Sequence, residues 1–334
     1  MKKILSIALS VLMLVTLLTA CGAEKPAADD NNGGNTTANV KFGSAVYVSA
    51  PSATDATEDG NGQGSVDVTA AAVTIDADGK IVTCDIDTMQ NKVAYTAEGK
   101  AIANDSFKTK RELGDNYGMV AYGGATKEWY AQADAFEGVV VGKTIAEVKA
   151  LIAAEGKGTD EVINAGCTIT IGDFVSVIEK AVANAAAEIA ADATVKVTLN
   201  TTQTCTDATA DAAGSNQVEV YTFAAALKDG KVVTADSDCV QVSFGFDAAG
   251  KSTFDASAAV QSKREKGDNY GMVAYGGAAK EWYAQADAFD AACEGKTGAE
   301  IAGLMAEDYK GVDSLKAAGC TIYVSGFVAA ASKI

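Results

Sequence analysis

Gly-Cys-Thr occurs twice in this chain, at Gly166-Cys167-Thr168 and at Gly319-Cys320-Thr321. A hydroxyl on a tight glycine turn just ahead of a helix can hold a phosphate, because backbone N–H groups and the helix dipole favour an anion there. A second recurring set is Lys110, Arg111 and Tyr117, repeated as Lys263, Arg264 and Tyr270. Its cations suit a phosphate or carboxylate, and its rings, with Tyr122, Trp129 and Tyr130 nearby, offer faces for a planar ligand. A structural reading stands beside each of these. Gly-Cys-Thr is also a plain strand-to-helix turn, and Trp129 and Phe136 have the spacing of core residues.

Other chemistries are excluded by what the chain lacks. There is no histidine, which removes Ser-His-Asp and Cys-His nucleophilic sites, HExxH zinc sites and His-ligated haem. Carboxylates are too abundant for any one pair to stand out as an acid–base couple. The formal charge of -17 opposes nucleic acid and anionic headgroups alike, so no nucleic-acid partner is expected. Seven cysteines are present. Apart from Cys21 they are widely spaced and mostly in apolar runs, so free thiols acting as small hydrophobes are expected over disulfides.

The N-terminus carries a different signal. Met1-Lys2-Lys3 is basic, Ile4 to Leu18 is apolar, and Leu18-Thr19-Ala20-Cys21-Gly22 follows. A basic start, a short apolar core and small residues before a cut describe a secretory signal peptide over 1–20. The cysteine after those small residues resembles a lipobox, whose thiol is acylated. Cys21 is therefore expected to anchor the mature chain in the lipid bilayer on the extracytoplasmic face of the cell membrane. Residues 21–40 are small, polar and rich in Gly, Asn and Asp, a flexible tether reaching roughly 25 Å by coil statistics.

The remainder is a tandem duplication. Lys110-Arg111-Glu112-Leu113-Gly114-Asp115-Asn116-Tyr117-Gly118-Met119 returns as Lys263-Arg264-Glu265-Lys266-Gly267-Asp268-Asn269-Tyr270-Gly271-Met272, and the match runs without a gap to Gly-Cys-Thr. Two units of roughly 150 residues follow, 41–190 and 191–334, far longer than solenoid repeats. Each reads strands first. Val66–Ile75 and Lys80–Ile86 flank the turn Asp76-Ala77-Asp78-Gly79, and Gln217–Leu227 and Lys231–Val233 flank Asp229-Gly230. A third strand is expected near Lys92–Tyr95 and Val240–Phe246. Lys110–Gly124 reads as a long loop. Then come a helix from Lys127 with Trp129, Ala133 and Phe136 on one face, helices opened by the capping boxes Thr144-x-x-Glu147 and Thr297-x-x-Glu300, and an alanine-rich helix from Asp173 to about Ala191, paired with one from Phe327. Strands followed by helices argue for an α+β fold: two tandem copies of an antiparallel-sheet domain with helices packed on it.

This order of parts resembles the FMN-binding domain, found in flavin subunits of sodium-pumping NADH:quinone reductases and in exported electron-transfer lipoproteins. The shared pattern is the Asp-Gly-Lys hairpin, the Trp and Phe helix, Gly-Lys-Thr, and a Gly-x-Thr turn before an alanine-rich helix. In that family a threonine in a Ser/Asp-Gly-Ala-Thr-x-Ser/Thr turn carries FMN as a phosphoester. Here the turns read Ala165-Gly166-Cys167-Thr168-Ile169-Thr170 and Ala318-Gly319-Cys320-Thr321-Ile322-Tyr323, so the glycine and threonine match while the first residue and the cysteine depart. The resemblance implies FMN at Thr168 or Thr321 and a membrane redox partner. The alternative is a non-redox surface lipoprotein that binds a small ligand or a partner protein. Either way a binding protein or electron carrier is expected rather than a dedicated enzyme.

Overall fold

Three long strands open each repeat. The computed structural model describes residues 39–334; Cys21, the signal segment and the tether up to residue 38 lie outside the described residues. In the first repeat β1 (Asn39–Thr54), β2 (Gly62–Ile75) and β3 (Ile81–Tyr95) form an antiparallel meander, with the short β4 (Ala101–Ile102) on the far edge of β3. Helices α1 (Lys110–Leu113), α2 (Trp129–Val140), α3 (Ile145–Lys149), α4 (Asp160–Ala165) and α5 (Gly172–Ala183) follow. The chain then returns as β5 (Ala187–Ala190) on the other edge of β1. The second repeat has β6 (Thr194–Thr206), β7 (Gly214–Lys228) and β8 (Lys231–Phe246), then α6 (Lys263–Lys266), α7 (Trp282–Cys293), α8 (Gly298–Ile301), α9 (Asp313–Ala317) and α10 (Ser325–Ala331). The fold is α+β, with sheets ordered β4-β3-β2-β1-β5 and β6-β7-β8.

The hairpin turns behave as their residues require. Asp229 and Gly230 both take positive φ, 52° and 72°, the two-residue turn whose twist matches the flanking strands. In the first repeat Gly79 alone is positive, and Asp76 accepts from the N–H groups of Asp78 and Lys80. Both capping boxes form: Thr144 with Glu147 and Thr297 with Glu300.

The middle strands explain the unbroken apolar runs. Ala70 through Val73 in β2 and Phe223 through Ala226 in β7 are buried on both faces of their sheets. One face of each sheet packs against the other sheet: Val66, Val68, Met89 and Val93 share a core with Val218, Val220, Val242 and Phe244. The opposite faces carry the helices. Ala71, Val73 and Ile86 meet Trp129, Phe136 and Ile178; Phe223, Ala225 and Val232 meet Trp282, Phe289 and Phe327. Helix, sheet, sheet, helix is therefore the layer order, and the described residues form one compact unit.

The seam between repeats is reciprocal. Lys180 of α5 donates to the Val46 carbonyl and pairs with Glu265. Lys333 donates to the Leu199 carbonyl and pairs with Glu112. Each glutamate also closes the capping box of α1 or α6. Two copies holding each other through the same residues is the geometry of a two-fold interface.

Three sequence expectations change. Residues 92–95 and 240–246 are the far ends of β3 and β8, not third strands; the third strand of each sheet is the leading one, β1 or β6. β1 hides itself because it is broken by a register shift at Ser49/Ser52, with Ala50 at φ 48° beside Pro51, a bulge that spoils the alternation. The alanine-rich helix stops at Ala183 rather than Ala191. The alanines that follow have helical propensity, but pairing Ala187–Ala190 with β1 outweighs it. Finally, Lys110–Gly124 is ordered turn by turn: α1, a 3-10 turn over Gly114–Tyr117, then a tight loop.

Candidate functional site

Each repeat carries a pocket: the first where α1, α2 and the start of α5 meet the sheet, the second where α6, α7 and the turn before α10 meet theirs. The first, about 300 Å³, has Lys110, Tyr117, Met119 and Trp129 in its wall. The second, about 370 Å³, has their equivalents Lys263, Tyr270, Met272 and Trp282. The helix spacing places them: capping boxes from Thr109 and Ser262 start α1 and α6, and these short turns aim the lysines inward.

Both lysines are fully engaged. The Lys110 ammonium lies 5.3 Å from the Tyr117 ring centroid and 5.6 Å from that of Trp129, and 3.5 Å from the Asp67 carboxylate. Lys263 lies 5.2 Å from Tyr270 and 5.6 Å from Trp282, and 2.8 Å from Glu219. Burial pulls the Lys263 amine down, but Cys239 and the Glu219 carboxylate outweigh it and hold the amine above its ordinary range. A cation over two aromatic faces, paired with one carboxylate, makes a rigid polarised floor.

The neighbouring arginines do something else. Arg111 donates through Nε to the Ile86 carbonyl at 2.6 Å and pairs with Asp134 and Glu137. Arg264 donates to the Ser237 carbonyl at 2.6 Å and pairs with Asp236, Asp287 and Asp290. These guanidinium groups bolt α2 to β3 and α7 to β8. They line neither lysine pocket, and as phosphate partners they are replaced by the lysines. A larger cleft, about 510 Å³, opens on the seam beside Arg264, Lys180 and Glu265. Its charged groups are engaged with one another, so the lysine pockets are the better candidates.

The Gly-Cys-Thr turns lie at the pocket rim. Gly166 and Gly319 take φ 107° and 102°, closing α4 and α9, and a Cβ at either would strike Lys127 or Lys280. The positive φ is what calls for glycine at both positions, since the lysine ends can swing aside. Cys167 and Cys320 are fully buried, and burial pushes both thiols up to about 11, so neither is a nucleophile at neutral pH. All six described cysteines are free. Thr168 donates from its N–H and Oγ1 to Gln132 Oε1, at 2.8 and 3.0 Å; Thr321 does the same to Gln285, at 2.8 and 2.9 Å. Thr321 lines its pocket directly, whereas Ile169 and Thr170, not Thr168, line the first.

Several residues emerge only from the structure. Gln132 and Gln285 are buried on the apolar stripe of α2 and α7, and a polar residue on that stripe was the available signal. Glu128 and Glu281 clamp the loop that follows the 3-10 turn, accepting from the N–H groups of Met119 and Val120 or Met272 and Val273. Asp67, Glu219, Asp173 and Lys310 gave no sequence signal, because single charges in an acidic chain are not distinctive.

Four carboxyl groups near this framework have raised affinities for protons. Burial lifts Asp87 and Asp238 to about 6, and Glu137 and Asp290 to about 7, against hydrogen bonds and arginines that pull them down. An acid raised on folding contributes stability that is full below its unfolded value and is lost as pH rises through the folded value. Each unit is about 1.4 kcal/mol. The melting temperature is therefore expected to fall by roughly 5 °C or more between pH 5 and pH 8. Calorimetry checks this; a flat or rising profile would remove the buried-carboxyl account.

Among the described residues no helix is long and apolar enough to cross a membrane, and no metal-binding cluster is present. No protein-family model, no curated protein and no solved structure matches this chain.

Proposed function

We propose that this chain is an extracytoplasmic binding protein, lipid-anchored through Cys21, whose tandem pockets each hold a small ligand against a tryptophan. One observation carries the reading: the same lysine, tyrosine, methionine and tryptophan build a pocket twice, on a framework that clamps them in place. Concave sites with aromatic walls and a few fixed polar groups are where small ligands bind. The walls suit holding rather than turnover, since each lysine is neutralised by its carboxylate and each nearby cysteine is a buried thiol.

The chain has two tryptophans, one in each pocket, so each pocket has its own reporter. Nitrophenyl compounds absorb where tryptophan emits. 4-Nitrophenyl phosphate and 4-nitrophenyl β-glucoside are expected to quench the emission saturably, at concentrations up to roughly the millimolar range. Quenching that stays linear for both compounds would sink the binding reading. For the anchor, Cys21→Ala is expected to move the protein from the membrane fraction to the soluble fraction; retention in the membrane would refute it.

Flavin carriage is a second reading, favoured by one feature. In the second repeat Thr321 and Lys310 line the same pocket, which suits a phosphate. In the first repeat the pocket is lined by Asp67 and Asp173 instead, which does not. FMN held there would supply electron transfer to a membrane redox partner. Protein co-expressed with a flavin transferase should then be yellow, and Thr321→Ala colourless. An intact mass equal to the polypeptide alone would remove this reading.

A further inference from the structure

The two pockets share a frame, and three of the positions at which they differ are coupled. Thr69 of the first stands where Tyr221 stands in the second; Thr170 corresponds to Tyr323, and Asp173 to Gly326. A Cβ at Gly326 would lie 2.3 Å from the Tyr221 ring, so the glycine exists to admit the tyrosine. With threonine at 69 that space is free, and Asp173 occupies it, its carboxylate accepting from Ser49 Oγ at 2.7 Å. The Tyr221 ring is held in turn, edge-on to Phe327 at 5.0 Å, with its hydroxyl on Glu219 at 3.0 Å.

A further difference concerns charge. In both pockets the floor is a cancelled pair, Asp67 with Lys110 and Glu219 with Lys263. The first pocket adds Asp173 and three threonines: Thr69 and Thr88, whose buried hydroxyls bond each other at 2.9 Å, and the exposed Thr170. The second adds Lys310, whose ammonium lies 5.3 Å from the Tyr323 ring centroid and makes no ion pair among the described residues. Lys157, its counterpart, does not line the first pocket. One pocket thus keeps a negative excess among hydroxyls, and the other a positive excess among tyrosines. A ligand anion entering the first meets an uncancelled carboxylate, and one entering the second meets an uncancelled ammonium.

We propose that the pockets are sorted by charge: the second accepts a planar or aromatic anion, and the first a neutral, hydroxyl-rich ligand such as a sugar ring. In the first, Asp173 and the exposed Thr170 supply acceptors and a donor for ligand hydroxyls beside Trp129. In the second, Lys310 takes the anion and the tyrosines take the planar group. Because it rests on the binding reading above, the test separates the two.

The full chain is examined as Trp129→Phe, which leaves Trp282 to report the second pocket, and as Trp282→Phe, which leaves Trp129 to report the first. 4-Nitrophenyl phosphate and 4-nitrophenyl β-glucoside carry the same quencher and differ only in what the pocket must recognise. Trp282 is expected to favour the phosphate by about tenfold, the weight of one charge-assisted contact, and Lys310→Gln to abolish that preference. Trp129 is expected to favour the glucoside, and Asp173→Gly to admit the phosphate. Equal preference at both tryptophans, or a phosphate preference indifferent to Lys310→Gln, overturns the sorting while leaving binding intact. No saturable quenching at either tryptophan overturns the binding reading and the sorting with it.

Discussion

Arg264→Met is expected to destabilise the protein by about 3–5 kcal/mol at pH 8, the cost of leaving a buried charge without its partner, and by much less at pH 5. Arg264 holds Asp236, Asp287 and Asp290 together and donates to the Ser237 carbonyl. Asp290 is 6% exposed, and its carboxylate also accepts from the backbone N–H and hydroxyl of Ser237. Burial already lifts it to about 7 with the arginine in place, the arginine being what pulls it down. Without the guanidinium its proton affinity rises further. At pH 5 the carboxyl is then neutral and the missing cation matters little; at pH 8 it must either ionise unpaired or keep a proton that the solvent favours removing. Denaturant unfolding at the two pH values measures the difference. Adding Asp290→Asn should restore much of the loss at pH 8. A loss below about 1 kcal/mol, the size of an exposed pair, would show that the network is screened by water.

Phe327→Ala should cost about 3–5 kcal/mol, the range for emptying a well-packed aromatic site. Phe327 is fully buried, with Tyr221, Phe289 and Trp282 at 5.0, 5.4 and 5.7 Å between ring centroids. It is the keystone of the second helix–sheet core and the support of two walls of the second pocket. The expected outcome is a melting temperature lower by about 10 °C, with weaker quenching at Trp282 and unchanged quenching at Trp129. Equal losses at both tryptophans would mean that the repeats respond as one body and that the packing of each pocket is not local.

Much of this architecture is legible in one dimension because its causes are local. The Asp229-Gly230 turn needs two positive φ angles, and the capping boxes at Thr144 and Thr297 need only residues three apart. What escaped was non-local. β1 carries a proline and a bulge, so it shows no clean alternation, and only its partners β2 and β5 make it a strand. The alanines after Ala183 are turned from helix to strand by the edge of β1.

The candidate site divides in the same way. Lys110 and Arg111 are adjacent and both suit an anion, yet one lies in the pocket and the other in the α2–β3 seam. One step along a helical turn rotates the side chain by about 100°, so neighbours in sequence part company in space. The sequence by itself determined the duplication, the α+β order of strands and helices, the turns and caps, and the glycines of the Gly-Cys-Thr turns, because each follows from periodicity or local backbone geometry. Only the tertiary structure decided that two sheets share a core, that Asp67 and Glu219 meet the lysines, and that Gly326 makes room for Tyr221. Those contacts join residues far apart in the chain, and packing, not local propensity, selects them.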